Sequence, residues 1–194
     1  MTITIPNCFS SPNPKRVIAL VGGIAAGKST ARETLSNRII PSFLNKGQSS
    51  LNNHLTVIDA DLIGHSIYLK GKPAYSDILE RFSPLVKEGS SLLNSETLEI
   101  DRKTLGSIVF SSKEHMETLQ NIVWPRIREQ IHVEIQNSPT VQHGGFIILE
   151  AAVLLEANWH KDIVDELWCI SADPKVVISR LGERNGLSEE ESKK

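Results

Sequence analysis

The stretch Arg16-Val17-Ile18-Ala19-Leu20-Val21-Gly22-Gly23-Ile24-Ala25-Ala26-Gly27-Lys28-Ser29-Thr30 decides how the rest of the chain is read. A β-favouring apolar run, residues 17–21, feeds a loop bracketed by Gly22 and Gly27 and closed by Lys28-Ser29, the pattern G-x-x-x-x-G-K-[ST]. In that pattern backbone N–H groups wrap phosphate oxygens, the lysine reaches the terminal phosphates and the hydroxyl ligates magnesium. The motif asks for a strand before it and a helix after it, and residues 31–40 read as that helix. Gly22, Gly23, Ile24, Ala25, Ala26, Gly27, Lys28, Ser29 and Thr30 are therefore the expected nucleotide-phosphate contacts, with Ser29 also on the metal.

A length of 194 residues suits one compact body with room for a small inserted lobe. With 21 basic and 23 acidic side chains and a net charge of −2, nothing electrostatic argues for nucleic acid or an anionic membrane as partner. Cys8 and Cys169 have neither disulfide-framework nor metal spacing, which fits a reducing compartment, and Cys169 reads as a core residue. No apolar run approaches the ~18 residues of a membrane span. Residues 1–15 hold Pro6, Pro12 and Pro14 without an apolar segment or an arginine-rich pattern, so they read as a disordered tail. The expected location is cytoplasmic, with an organelle such as the mitochondrion left open.

Beyond the first helix, the turn-rich residues 41–53 read as a surface loop. Residues 55–58 read as a second buried strand, followed by Asp59-Ala60-Asp61. Ligands of open α/β sheets bind beyond the carboxyl ends of strands, so these aspartates are expected to share a crevice with the phosphate loop. One of them can equally cap a helix over 62–70 while the other does chemistry. His65, four residues after Asp61, would share its helix face.

Residues 73–137 show apolar spacing of three and four and no buried strand, the mark of a helical insertion. Pro125 inside the stripe that runs from Met116 to Ile135 should kink or divide that helix, and Asp101 should cap a short one carrying Arg102. Residues 146–150 read as a third strand ending in Glu150, a candidate to hold magnesium through water, and 167–170 as a fourth. Asp173-Pro174 opens a helix whose Arg180 and Arg184 lie at i and i+4, with Gly182 and Gly186 suggesting a mobile lid. Ser188-Glu189-Glu190-Glu191 has capping-box spacing. The six histidines lack zinc spacing, and Trp124, Trp159 and Trp168 read as core.

A guanine-reading N-K-x-D segment is absent, as is the basic and aromatic interleaving of a nucleic-acid motor. What remains is a small-molecule kinase, in which Lys28, Mg²⁺ and the arginines neutralise charge and Asp61 takes the acceptor hydroxyl's proton.

The phosphate loop, Asp59-Ala60-Asp61-Leu62-Ile63-Gly64-His65, Ile100-Asp101-Arg102-Lys103-Thr104-Leu105-Gly106-Ser107-Ile108-Val109-Phe110 and Glu150-Ala151-Ala152-Val153-Leu154-Leu155-Glu156-Ala157 together resemble dephospho-CoA kinase. The second half looks especially like the kinase domain of animal bifunctional CoA synthase, and the resemblance runs from about residue 16 to the end. It implies transfer of the γ-phosphate of ATP to the ribose 3′-hydroxyl of dephospho-CoA, giving CoA and ADP. It also implies a P-loop NTPase fold of nucleoside-monophosphate-kinase type, a parallel sheet flanked by helices, with a helical CoA-binding lobe over about 62–137 and a lid over about 180–194. Asp61 matches the family's catalytic base and Arg184 its lid arginine, with Arg180 a companion at ATP. Arg102, in the matching I-D-R segment, falls at an acceptor contact. From the residues alone, His65 is a further substrate candidate on the Asp61 helix face, and Ser29 and Glu150 are the magnesium candidates. The alternatives are another small P-loop kinase acting on a nucleoside or sugar-like alcohol, or a truncated, non-catalytic nucleotide-binding protein.

The chain departs from the family at Ala25-Ala26, where Gly-Ser is usual, at Val21, where threonine is common, and at Trp124-Pro125, where bacterial members have His-Pro. It is also expected to stop short of the strand and helix that complete the family's sheet.

Overall fold

The computed structural model describes residues 15–40, 54–87 and 89–185, with only the backbone of Lys15, Ile39, Arg184 and Asn185. In chain order the elements are β1 (Lys15–Val21), α1 (Lys28–Thr34) continued by a π-helical turn (Leu35–Ile39), β2 (Leu55–Asp59), α2 (Ala60–Ser66), α3 (Pro73–Phe82), α4 (Arg102–Val109), α5 (Lys113–Asn137), α6 (Pro139–His143), β3 (Gly145–Glu150), α7 (His160–Ile163), β4 (Glu166–Cys169) and α8 (Pro174–Asn185). The expected tail of 1–15 gives up Lys15 to β1. Otherwise the tail, the loop of 41–53 and the capping box at Ser188 lie outside the described residues.

Two compact units partition the chain, one from the described residues of Met1–Asp59 and Ile135–Lys194, the other Ala60–Glu134. The first is built on a four-stranded parallel sheet in the order β2-β3-β1-β4. Its centre follows from composition: Phe146-Ile147-Ile148-Leu149 is a continuous apolar run, as a strand covered on both faces requires, and all four residues are buried. Ile18, Leu20, Phe146 and Ile148 pack with Ala31 and Leu35 from the helix that follows the phosphate loop. Pairing of Leu20 and Asp59 with Glu150 brings the carboxyl ends of β1, β2 and β3 level.

The outer strands are less buried than their apolar composition suggests. Val57 of β2 and Leu167 of β4 are each 43% exposed, and Cys169 is exposed rather than in the core. Both strands flank the described sheet, where alternate side chains face away from the packed layer. Of the tryptophans, Trp159 is buried, whereas Trp124 and Trp168 are only partly covered.

The Ala60–Glu134 unit is helical, with one isolated bridge, Leu93 to Ile100, among its described residues. Its core joins Ala74, Ile78 and Phe82 of α3 to Leu105, Ile108 and Val109 of α4, against partly buried Met116, Leu119, Ile122 and Val123 of α5. The helix expected over 62–70 starts at Ala60 and stops at Ser66. Turns through Leu69 and Lys72 then lead to Pro73, which opens α3 and holds the residue before it extended. Pro125 does not divide α5, which continues through it. A proline removes one N–H and displaces the carbonyl a turn earlier, and beside this defect Arg126 Nη1 donates to the Ile122 carbonyl at 2.5 Å. Arg126 also pairs with Asp77 of α3, fixing α5 on its neighbour.

Candidate active site

The loop between β1 and α1 takes its shape from backbone that only particular residues tolerate. Gly22 has φ +151°, and a Cβ there would lie 2.2 Å from the carbonyl oxygen of Ile170, which follows β4. That close approach is itself bonded, since the Ile170 N–H donates to the Val21 carbonyl at 2.7 Å. Gly27, at φ +103°, is the N-cap of α1 and turns the chain into the helix in a left-handed conformation. Ala25, at φ +56°, holds the same hand with a side chain. The first turn of α1 has no acidic residue and no side-chain cap, and the N–H groups of such a helix start suit phosphate.

Lys28 Nζ donates to the carbonyls of Gly22 at 2.9 Å and Gly23 at 3.1 Å, so the ammonium lies against the loop that brackets it. Ser29 Oγ donates to Glu150 Oε1 at 3.1 Å, joining the start of α1 to the end of β3. Arg180 of α8 donates from Nη1 to the carbonyls of Ala25 at 3.1 Å and Ala26 at 3.2 Å. The expected ATP residues Gly22, Gly23, Ile24, Ala25, Ala26, Gly27, Lys28, Ser29 and Thr30 thus form one loop and helix start, and Arg180 and Glu150 come to it. Gly182, expected to mark a mobile lid, lies inside helix α8; Gly186 and the Arg184 side chain are outside the described set.

The remaining expected residues stand in the Ala60–Glu134 unit. Asp61 is the second residue of α2, which starts directly after β2, and His65 lies one turn on; both are exposed. Arg102 opens α4 and sets its guanidinium 5.6 Å from the centre of the Tyr68 ring. Burial pushes the Tyr68 phenol above its usual pKa, and the Arg102 charge partly opposes that. Asp101 caps α4 as expected, accepting from the Lys103 N–H at 3.0 Å and the Thr104 hydroxyl at 2.7 Å.

The sequence reading passed over Arg32. Its Nη1 lies 3.1 Å from Glu150 Oε2 and 3.5 Å from Asp59 Oδ2. The signal was present in the spacing, because Arg32 follows Ser29 by three residues and so shares its helix face.

A parallel sheet with a glycine-bracketed Lys-Ser loop after its first strand defines a P-loop nucleotide-binding α/β protein. The family model for dephospho-CoA kinase (CoaE) matches residues 16–194. The chain is 34% identical over 177 residues to the dephospho-CoA kinase of Bacillus anthracis, covering 91% of this chain and 76% of that protein. It is 32% identical over 176 residues to that of Carboxydothermus hydrogenoformans, covering 91% and 74%. Among solved structures, a dephospho-CoA kinase from Campylobacter jejuni superposes with a TM-score of 0.58 at 26% identity, covering 93% of this chain and 78% of that one. The crystal structure of TT1252 from Thermus thermophilus shares the fold, with a TM-score of 0.62 at 24% identity and coverage of 92% and 76%.

The chain belongs to the dephospho-CoA kinase family. It is a phosphotransferase that uses ATP on dephospho-CoA, at the final step of CoA biosynthesis, and the alternative acceptors are not favoured.

Proposed function

We propose that the phosphate loop presents ATP for transfer of its γ-phosphoryl group to the ribose 3′-hydroxyl of dephospho-CoA, with Asp61 accepting the proton that hydroxyl loses. The observation that carries the reading is the joint of Ser29 and Glu150, a loop hydroxyl and a strand-end carboxylate 3.1 Å apart beside the lysine loop. Lys28 and the loop N–H groups bind the terminal phosphates, and Arg180 and Arg184 bring positive charge to the oxygens on which negative charge spreads during transfer. An aspartate is a competent base here, since it needs only to orient the hydroxyl and receive its proton as the bond to phosphorus forms. Arg102 and His65 contact the acceptor. The helical Ala60–Glu134 unit serves as the acceptor lobe and the region from about residue 180 as the lid.

Magnesium fits the residues present. Both candidate ligands are hard oxygen donors, and the buried Glu150 Oε2 accepts no hydrogen bond, although the Arg32 guanidinium lies 3.1 Å from it. Mg²⁺ is commonly held by one or two such groups plus substrate phosphates. Ser29 would hold it directly and Glu150 through water, and the ion would screen the phosphate charge. No described helix is long and apolar enough to cross a membrane. The location we propose is cytoplasmic, with an organelle such as the mitochondrion as the alternative.

The test is an ADP-release assay with MgATP and separate acceptors. Dephospho-CoA should support turnover, with the new phosphate at the 3′ position by ³¹P NMR. Release of ADP with a nucleoside but not with dephospho-CoA would reject the reading.

A further inference from the structure

Asp59 and Glu150 end adjacent parallel strands and are paired in register, so two carboxylates emerge side by side at the sheet's carboxyl edge. Like charges in such a position repel, and Glu150 is only 7% exposed, so water relieves little of the repulsion on its side. Arg32 meets both carboxylates, at 3.5 Å and 3.1 Å. Its contact with Glu150 is charge pairing without a directed N–H, because Oε2 accepts no hydrogen bond even at that distance. The other oxygen, Oε1, takes the Ser29 hydroxyl. One carboxylate thus joins a phosphate-loop hydroxyl to a fixed cation, on a helix whose Ala31 and Leu35 are locked into the core.

We propose that Arg32 is a positioning residue which balances the Asp59–Glu150 pair, holding Glu150 toward Ser29 and keeping the two carboxylates from capturing a divalent cation ahead of nucleotide. With Arg32 in place the trio carries a single net negative charge; without it the pair presents two to any cation. Affinity for hard divalent ions rises with the charge of the ligand set. The metal then enters with the nucleotide, whose phosphates supply the charge the trio lacks. The inference rests on Ser29 and Glu150 being the metal side of the nucleotide site.

Titration of the full chain with Mn²⁺ alone, followed by the electron paramagnetic resonance signal of the free ion, tests it. Arg32→Ala and Arg32→Gln should each bind Mn²⁺ about tenfold more tightly than wild type without nucleotide, while Arg32→Lys stays near wild type. Adding Glu150→Gln to Arg32→Ala should abolish the gain. Affinities of Arg32→Ala and Arg32→Gln equal to wild type, or a gain that survives Glu150→Gln, overturn the proposal. A parallel titration with Mn²⁺ and ADP separates the two claims. Failure of wild type to bind the complex counts against the site itself, whereas binding without a variant gain counts against Arg32 alone.

Discussion

At the scale of single residues the phosphate loop shows which positions are fixed by backbone and which by charge. Gly22 cannot carry a side chain without moving the Ile170 carbonyl, so Gly22→Ala should abolish ATP binding and lower the melting temperature together. Ala25 is the opposite case, a side chain in a left-handed conformation that favours glycine. A non-glycine residue of that hand costs roughly 1–2 kcal/mol, partly offset by glycine's greater freedom in the unfolded chain. Ala25→Gly should therefore raise unfolding stability by about 1 kcal/mol, read from the denaturant midpoint; a loss of stability would mean the strain is relieved elsewhere. Lys28→Ala should weaken ATP binding and slow turnover, because the same ammonium serves ground state and transfer.

Among the elements, α4 offers a pH-dependent handle. The Thr104 hydroxyl and then the Lys103 backbone N–H hold the Asp101 carboxyl below its ordinary pKa. Its folded value is thus depressed, so its contribution to stability is complete above the unfolded value of about 4 and disappears as pH falls through the folded one. Asp101→Ala should be less stable than wild type at neutral pH and converge on it in strong acid, while Asp101→Asn, still a good cap, should lack that pH dependence. A gap between wild type and Asp101→Ala that is constant with pH would contradict the assignment. Local signals of this kind were fully legible in the sequence, since a cap depends on residues three apart. The passage of α5 through Pro125 was not, because its stability draws on Arg126 and on Asp77 of another helix, a partner no local window contains.

For the whole molecule, the order of strands governs both stability and the grouping of functional side chains. Ile148 is fully buried in the central strand β3, so Ile148→Ala should cost about 2–5 kcal/mol. Leu167→Ala on β4, half exposed, should cost less than about 1 kcal/mol. Chemical denaturation would distinguish them, and equal losses would contradict the sheet order. The phosphate loop, β3 and Glu150 were readable because motif and apolar run are contiguous. The exposure of Cys169 and Val57 was not, since strand composition alone does not tell centre from edge. The spacing of Arg32 places it on the helix face of Ser29, but its partners Asp59 and Glu150 are distant in sequence and come together only when β2 pairs with β3, so the contact itself is in no local window.

The chemistry assigned to Asp61 is tested most directly by steady-state kinetics of Asp61→Asn, with ATP affinity measured separately by calorimetry. If this carboxylate receives the acceptor's proton, kcat should fall by about 10²–10⁴-fold while ATP binding changes little. Turnover close to wild type in a folded, ATP-binding Asp61→Asn protein would contradict the account.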